Sequence, residues 1–149
     1  MAQARDTERA PHDWDAQLRA HGYRATPQRQ LVLEALATLR HATPEDVGAR
    51  VNQAARGVNT STIYRTLELL EQLGMVTHTH LGHGAPTYHL AEDADHVHLV
   101  CRSCGKITEI SPDVAGPLVS ALETEQGFET DVGHLTVFGR CSDCRPVTA

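Results

Sequence analysis

Four cysteines occur as two pairs with the same CxxC spacing, Cys101 with Cys104 and Cys141 with Cys144. Two residues between the cysteines of a pair let both thiolates bind one ion from a single turn, and Gly105 lets the first turn close. The pairs are 36 residues apart, which fits a tetrahedral zinc site with four cysteine ligands. A redox-active CxxC is the alternative, but a small acidic domain with few aromatic residues needs a metal staple.

The ten histidines are the second group of candidate ligands. His96 and His98 alternate on one predicted strand and His78 and His80 on another, so each pair points to one side of its strand. Imidazole suits Zn, Ni, Cu, Co and Fe, and the pairing favours metal binding over a structural role. Isolated histidines are interpreted as surface or capping residues: His12, His21 and His83.

The formal charge of −6 is unevenly distributed along the chain. Residues 1–90 hold 9 Arg and 9 Asp/Glu, whereas residues 91–149 hold 4 Lys/Arg and 10 Asp/Glu. This asymmetry indicates two units with different roles, and the neutral first unit can still present a basic face. No apolar run of about 18 residues and no secretory signal is present, so we expect a cytoplasmic protein without membrane partners.

The first unit is predicted to begin with helices. Trp14 and Leu18 suit a short helix that ends at Gly22. The cap-then-proline pairs Thr26–Pro27 and Thr43–Pro44 each predict the start of a further helix. An apolar stripe on the second helix is predicted to face the core: Leu31, Val32, Ala35, Leu36 and Leu39.

A fourth helix over residues 59–70 has the features of a DNA recognition helix. Ser61, Thr62, Tyr64 and Arg65 lie near its start and largely off its apolar side. The N-terminal residues of a recognition helix reach bases and phosphates in the major groove. The alternative is a solvated helix face with a partly buried tyrosine, and composition alone leaves it open.

The remaining pattern predicts an α+β protein. Strand-like residues 75–80 and 86–90 flank a glycine-rich turn, which completes a winged helix-turn-helix domain over 13–90. Residues 1–12 are predicted to be disordered and 91–95 to form a hinge. A small α/β dimerisation domain over 96–149 carries the four-cysteine zinc site. Its predicted elements are strands at 96–100, 107–110 and around 135–138, with a helix over 113–126.

Taken together, these motifs resemble the ferric uptake regulator (Fur) family. The matching segments run in family order over about residues 13–146: 24–29, 62–67, 88–90, 96–106 and 138–141. The resemblance implies a homodimer that binds a palindromic double-stranded DNA operator and represses metal-homeostasis or oxidative-stress genes when metal is bound. We count Arg24 and Arg29, together with the start of the fourth helix, as DNA-binding residues.

The resemblance also implies a regulatory metal site. Family ligand positions match His41, His89, His96 and His98, where His89 replaces the usual acidic residue. Four histidines make a site poorer in carboxylate than the usual iron site. This difference argues against iron or peroxide sensing and favours a borderline metal such as nickel or zinc.

A further family site has lost its ligands, since Val97 and Gly133 stand where the family has aspartate and histidine. We expect a replacement site of His78, His80 and His134, which resembles the nickel uptake regulator branch. The regulatory ion is therefore expected to be Ni²⁺. Zn²⁺ or Fe²⁺ is the alternative, although the zinc branch typically supplies a thiolate and no cysteine remains outside the two CxxC pairs.

Two other function classes fit the sequence less well than a repressor. A zinc enzyme needs an open coordination position and a nearby general base, and no HExxH or similar motif occurs. A metal buffer or chaperone has no use for a helix that reads a DNA groove. We therefore expect a regulator rather than an enzyme.

Overall fold

The structure is a computed structural model that describes residues 12–93 and 96–145. Four helices come first, and a two-stranded antiparallel hairpin follows them. Their bounds are α1 (Trp14–Ala20), α2 (Pro27–Leu39), α3 (Pro44–Ala54), α4 (Thr60–Gln72), β1 (Val76–Thr79) and β2 (Thr87–Leu90). The predicted winged-helix architecture of this N-terminal unit is confirmed. None of the described helices is both long and apolar enough to span a bilayer.

All four of these helices begin at side-chain caps, and the cap of α1 is Asp13, whose Oδ1 accepts the Ala16 N–H at 2.9 Å. Thr26 Oγ1 accepts the Arg29 N–H at 3.4 Å, as its position before a proline predicts. Thr43 and Asp46 form a reciprocal capping box at the start of α3. Asn59 caps α4, a role that the sequence analysis did not assign. Each such cap contributes about 1 kcal/mol of stability.

The N-terminal core is aliphatic and is built around α2, which contacts α3, α4 and β2. Because α2 is covered on more than one side, Leu33 is fully buried in addition to Val32 and Leu36 of the predicted stripe. Leu39, the last residue of the helix, is 38% exposed, so its prediction as a core residue is wrong. The core otherwise gathers the apolar faces of the helices and hairpin: Leu18, Val32, Leu36, Val47, Val51, Ile63, Leu67, Leu70, Val76 and Leu90.

The C-terminal unit is a three-stranded sheet with a single α-helix in its described part. Its strands are β3 (Val97–Cys101), β4 (Ile107–Ile110) and β5 (Thr136–Gly139), in the order β4-β3-β5. β3 runs antiparallel to β4 and parallel to β5. The connection to β5 passes through α5 (Gly116–Gln126), as a parallel pair requires a crossover.

The helix of the C-terminal unit starts later than the predicted residue 113. A 3₁₀ turn over Pro112–Ala115 precedes it, with the Ser111 hydroxyl accepting the Asp113 N–H at 3.3 Å. Pro117 then lies in the first turn of α5, where its missing N–H costs no helical hydrogen bond.

The segment between the two units begins with a 3₁₀ turn at Ala91–Asp93, and residues 94 and 95 lie outside the described residues. Glu92 in this turn contacts the beginning of the described residues: its carboxylate is 2.9 Å from His12 Nδ1 and 3.5 Å from Gln17 Nε2. Of the segment predicted to be disordered, only His12 is described, and its ring stacks on Trp14. The domain boundaries at 90 and 96 stay predictions.

One side chain, Asn52, holds the loop between α3 and α4. Its amide donates to the carbonyls of Gly48 and Val58 at 2.9 Å each. Its carbonyl accepts the N–H groups of Gly57 and Val58 at 3.0 and 3.1 Å. Four hydrogen bonds from one side chain therefore fix the approach to α4.

We expect Asn52→Ala to lower the free energy of unfolding by about 1–3 kcal/mol, because partly buried backbone groups lose their partners. Urea unfolding followed by circular dichroism measures this change. Gln53→Ala, an exposed neighbour on the same helix, is the control and should stay within about 0.5 kcal/mol of the parent. Equal stability of both variants would contradict the role given to Asn52.

Candidate metal centres

The four cysteines meet at one edge of the C-terminal sheet. Cys101 is the last residue of β3, and Cys141 follows the end of β5. Because β3 and β5 are parallel, their carboxyl ends lie at the same edge and each delivers one CxxC turn there. The four Sγ atoms lie within 4.8 Å of one another, with Cys104 and Cys141 3.7 Å apart, and none forms a disulfide.

The backbone around this cysteine cluster favours a thiolate. The Cys141 N–H donates to Cys101 Sγ at 3.3 Å, and this bond, followed by one from the Cys104 N–H, lowers the pKa of Cys101 to about 6. A hydrogen bond with Cys141 is the main cause that raises the pKa of Cys144 to about 12. Four converging sulfurs, with one already stabilised as thiolate, match the soft donor set that zinc takes in structural sites.

Three histidines form a second cluster of converging ligand atoms. His98 Nε2 lies 2.7 Å from His41 Nε2 and 3.0 Å from His96 Nε2, and the latter two atoms are 3.4 Å apart. His98 is fully buried, while His41 and His96 are partly buried. We call these three residues the histidine cluster.

The histidine cluster joins the two units. His41 lies between α2 and α3, where Ala42 pairs with Tyr88 of β2 through two backbone hydrogen bonds of 3.0 and 2.8 Å. Arg40 makes the required turn with φ +64°, a left-handed conformation that few residues other than glycine adopt. His96 and His98 come from the start of β3.

His89 stands beside this cluster. Its ring centroid lies 5.2, 5.6 and 5.9 Å from those of His41, His96 and His98, and its side chain is fully buried. The nitrogens of His89 do not join the group of atoms that lie within 4.8 Å of one another. The four residues predicted as one regulatory site are thus adjacent, with three of them converging.

The interior position keeps His98 uncharged at neutral pH. Burial, followed by the neighbouring His41 and His96, lowers the pKa of His98 to about 4, against an opposing effect of Glu109. Within the described residues, His98 Nδ1 has no hydrogen-bond partner. Neutral imidazoles with converging nitrogens are the form in which histidine binds a metal ion, so the donor set fits a divalent cation.

Glu109 on β4 is a residue of this centre that the sequence analysis missed. It is paired in register with His98 across the sheet. One of its carboxylate oxygens lies 3.3 Å from His41 Nδ1, and the other 2.9 Å from Arg40 Nη2. The sequence predicts the two strands at 96–100 and 107–110, but it does not reveal the register in which they pair.

The second set of histidines, His78, His80 and His134, lies in one region. Its ligand atoms converge less closely than those of the histidine cluster. The His78 ring centroid lies 5.4 Å from that of His80 and 6.2 Å from that of His134. His78 belongs to β1, while His134 ends the 3₁₀ turn that precedes β5. The β1–β2 hairpin and the C-terminal unit therefore approach each other here as well. The ligand atoms do not all lie within 4.8 Å of one another.

The predicted DNA-binding residues of α4 divide into two kinds. Ser61 and Thr62 donate their hydroxyls to Asn59 Oδ1 at 2.8 and 2.7 Å, so they also build the cap. Tyr64 is 40% exposed, and its hydroxyl donates to Glu45 at 3.1 Å. The tyrosine is therefore at the surface, as the recognition-helix hypothesis requires.

The three predicted DNA-binding arginines also differ from one another. Arg65 is exposed on α4. Arg29 Nη1 donates to the Arg24 carbonyl at 2.6 Å, and its guanidinium lies 5.4 Å from the centre of the Tyr23 ring. Arg29 thus stabilises the loop before α2, while the Arg24 side chain is exposed.

Comparison with known proteins gives consistent matches. The model of the ferric uptake regulator family matches residues 20–138. The ferric uptake regulation protein of Campylobacter jejuni is 37% identical over 131 residues, covering 85% of this chain and 83% of that protein. The zinc uptake regulation protein of Mycobacterium tuberculosis is 32% identical over 128 residues, covering 85% and 98%.

The fold matches as well. The crystal structure of the Vibrio cholerae ferric uptake regulator superposes with a TM-score of 0.70 at 26% identity, over 87% of this chain and 100% of that one. Relatives named for iron and for zinc both occur, so likeness alone leaves the metal open. The family match over residues 20–138 and the identity over most of the chain show that this protein belongs to the ferric uptake regulator family.

Proposed function

We propose that the protein is a metal-dependent transcriptional repressor that binds a palindromic DNA operator as a homodimer. The observation that carries this proposal is the histidine cluster, which takes His41 from the N-terminal unit and His96 and His98 from the C-terminal unit. A switch needs such a joint, because metal can act on DNA binding only by favouring one arrangement of the two units.

The residues of the joint have separate tasks in this proposal. His41, His89, His96 and His98 would hold the regulatory ion, and a bound divalent cation supplies positive charge shared by both units. Glu109 holds His41 through Nδ1 and Arg40 through a 2.9 Å ion pair, so it orients the segment that leads into α3. Since α3 packs on α4, the orientation of this segment is passed to the helix that carries Tyr64 and Arg65.

A homodimer is supported by the apolar surface of the C-terminal unit. None of the residues of α5 is buried, although the helix contains leucine, valine and alanine. Exposed fractions reach 66% for Val114, 50% for Leu118 and 57% for Phe128, with Val137 and Phe138 on β5 at 46% and 39%. Side chains of this kind on a small domain favour burial against a second copy.

Nickel is the regulatory metal that we propose, with zinc as the alternative. All cysteines are used in one cluster, so thiolate is absent from the histidine sites, and imidazole dominates both of them. Imidazole binds nickel more tightly than iron(II) at a given site. The second set, His78, His80 and His134, is proposed as a further nickel site.

The histidine cluster that joins the units generates a prediction. His96→Ala should remove one equivalent of bound nickel and abolish the metal-dependent gain in operator affinity, which we expect to be about 5- to 150-fold in the parent. Fluorescence anisotropy with labelled operator and metal analysis of the same samples measure both effects. The cysteine-bound zinc and the fold should be retained.

His21→Ala is the matched control, because His21 is exposed at the end of α1 and belongs to neither histidine set. It should behave like the parent. A His96→Ala protein whose operator affinity still rises normally with nickel would refute the proposed joint. If the parent protein responds to zinc and not to nickel, zinc takes the place of nickel as the proposed regulatory metal.

The cysteine cluster generates the next prediction. Cys104→Ser should release zinc and lower the melting temperature by roughly 10 °C, because the binding energy of a structural zinc is folding energy. Light scattering should also show a smaller dimer fraction. Ser103→Ala changes the same turn without removing sulfur and should leave all three quantities unchanged. Normal stability of Cys104→Ser would favour redox chemistry at these cysteines.

The exposed start of α4 generates a prediction about DNA. Arg65→Ala should weaken operator binding by about 1–3 kcal/mol, and Tyr64→Ala should weaken it too. If Arg65 contacts a phosphate, the loss should be equal on all sequences and the salt slope should fall by about one. Arg19→Ala removes the same charge from α1 and is the control. Unchanged affinity in both α4 variants would show that another surface binds DNA.

A further inference from the structure

Two histidines of the second set have a carboxylate bonded to the same ring nitrogen. His78 Nδ1 is hydrogen-bonded to the carboxylate of Glu71, and His134 Nδ1 lies 2.7 Å from Asp131 Oδ2. In the described part of the chain, no hydrogen bond or ion pair is formed by Nε2 of either ring. Both rings therefore have Nδ1 anchored and Nε2 available.

This arrangement is the one that metal-binding histidines adopt. A carboxylate that accepts the N–H of one ring nitrogen fixes the tautomer, orients the ring and makes the other nitrogen a better ligand. His41 of the histidine cluster uses its two ring nitrogens in the same way. Its Nε2 faces His98, and Glu109 lies 3.3 Å from its Nδ1. The two histidine sets thus share this feature at His41, His78 and His134, although only the first set is tightly converged.

Glu71 also links the second set of histidines to α4. Glu71 lies in the last turn of α4, the helix that begins with the predicted DNA-contacting residues, and it reaches across to His78 on β1. Asp131 and His134 instead belong to the C-terminal unit, three residues apart. A ligand held by Glu71 is therefore connected to α4 itself, whereas one held by Asp131 is not.

We propose that Glu71 and Asp131 are positioning residues of the second metal site, and that Glu71 also couples that site to α4. This inference rests on the function proposed above, because it takes His78, His80 and His134 as ligands. The competing explanation is that each contact is an ordinary ion pair. Such a pair, about one-third exposed for His78 and Glu71, contributes little to stability and nothing to metal affinity.

The test uses the full-length protein with its cysteine-bound zinc, titrated with Ni²⁺ alone. Calorimetry gives the affinity and number of nickel sites, and the visible absorption of bound nickel reports its ligands. The variants are Glu71→Ala, Glu71→Gln and Asp131→Asn. Glu68→Gln and Glu129→Gln are matched controls, because both glutamates are exposed near the altered positions and no hydrogen bond joins either to a histidine within the described residues.

Glu71→Ala should weaken the second nickel equivalent by about 10- to 100-fold and shift its absorption, with the first equivalent unchanged. Glu71→Gln should lose less, because an amide oxygen still accepts the Nδ1–H. Asp131→Asn should also weaken the second equivalent. At saturating nickel, Asp131→Asn should recover the operator affinity of the parent, whereas Glu71→Ala should not, since only Glu71 lies on α4.

The results that would overturn the inference differ from those that would overturn the site itself. If His78→Ala and His134→Ala abolish the second equivalent while Glu71→Ala and Asp131→Asn leave it intact, the carboxylates are not positioning residues and the site stands. Full recovery of operator affinity by Glu71→Ala at saturating nickel would refute the coupling to α4. If His78→Ala and His134→Ala also bind the second equivalent normally, both the site and the inference fail.

Discussion

Three imidazole nitrogens within 3.4 Å of one another in a largely buried region set the main constraint on this structure. Such a group is stable only while its rings are neutral, since two protonated rings at this separation repel strongly. Burial, together with the neighbouring His41 and His96, lowers the pKa of His98 to about 4, so His98 is neutral at ordinary pH. The contact between the two units therefore depends on side chains that are suited to a cation and poorly suited to being protonated.

The cysteine cluster offers sulfur ligands, and the histidine cluster offers nitrogen ligands. The cysteine cluster is made by one unit alone, at the edge where two parallel strands end, so it needs no particular arrangement of the chain elsewhere. The histidine cluster requires both units, because His41 reaches it only through the backbone pairing of Ala42 with Tyr88. A centre made within one unit suits a structural ion, and a centre shared between units suits a regulated one.

Local signals in the sequence predicted much of the fold. Threonine followed by proline located the starts of α2 and α3, and the repeated CxxC spacing located the cysteine cluster. What the sequence did not reveal depends on contacts distant in the chain. Glu109 faces His41 only because of the register between β3 and β4, and Asn52 acts only once the loop before α4 has closed. The late start of α5 was missed because a 3₁₀ turn and an α-helix have similar sequence preferences.

β3 carries His98 and Cys101 three residues apart, so one short strand belongs to both centres. Over that length an extended strand spans only about 10 Å and has neighbours hydrogen-bonded on both sides. The strand whose end the sulfur ligands hold is therefore the same strand that positions the His98 imidazole.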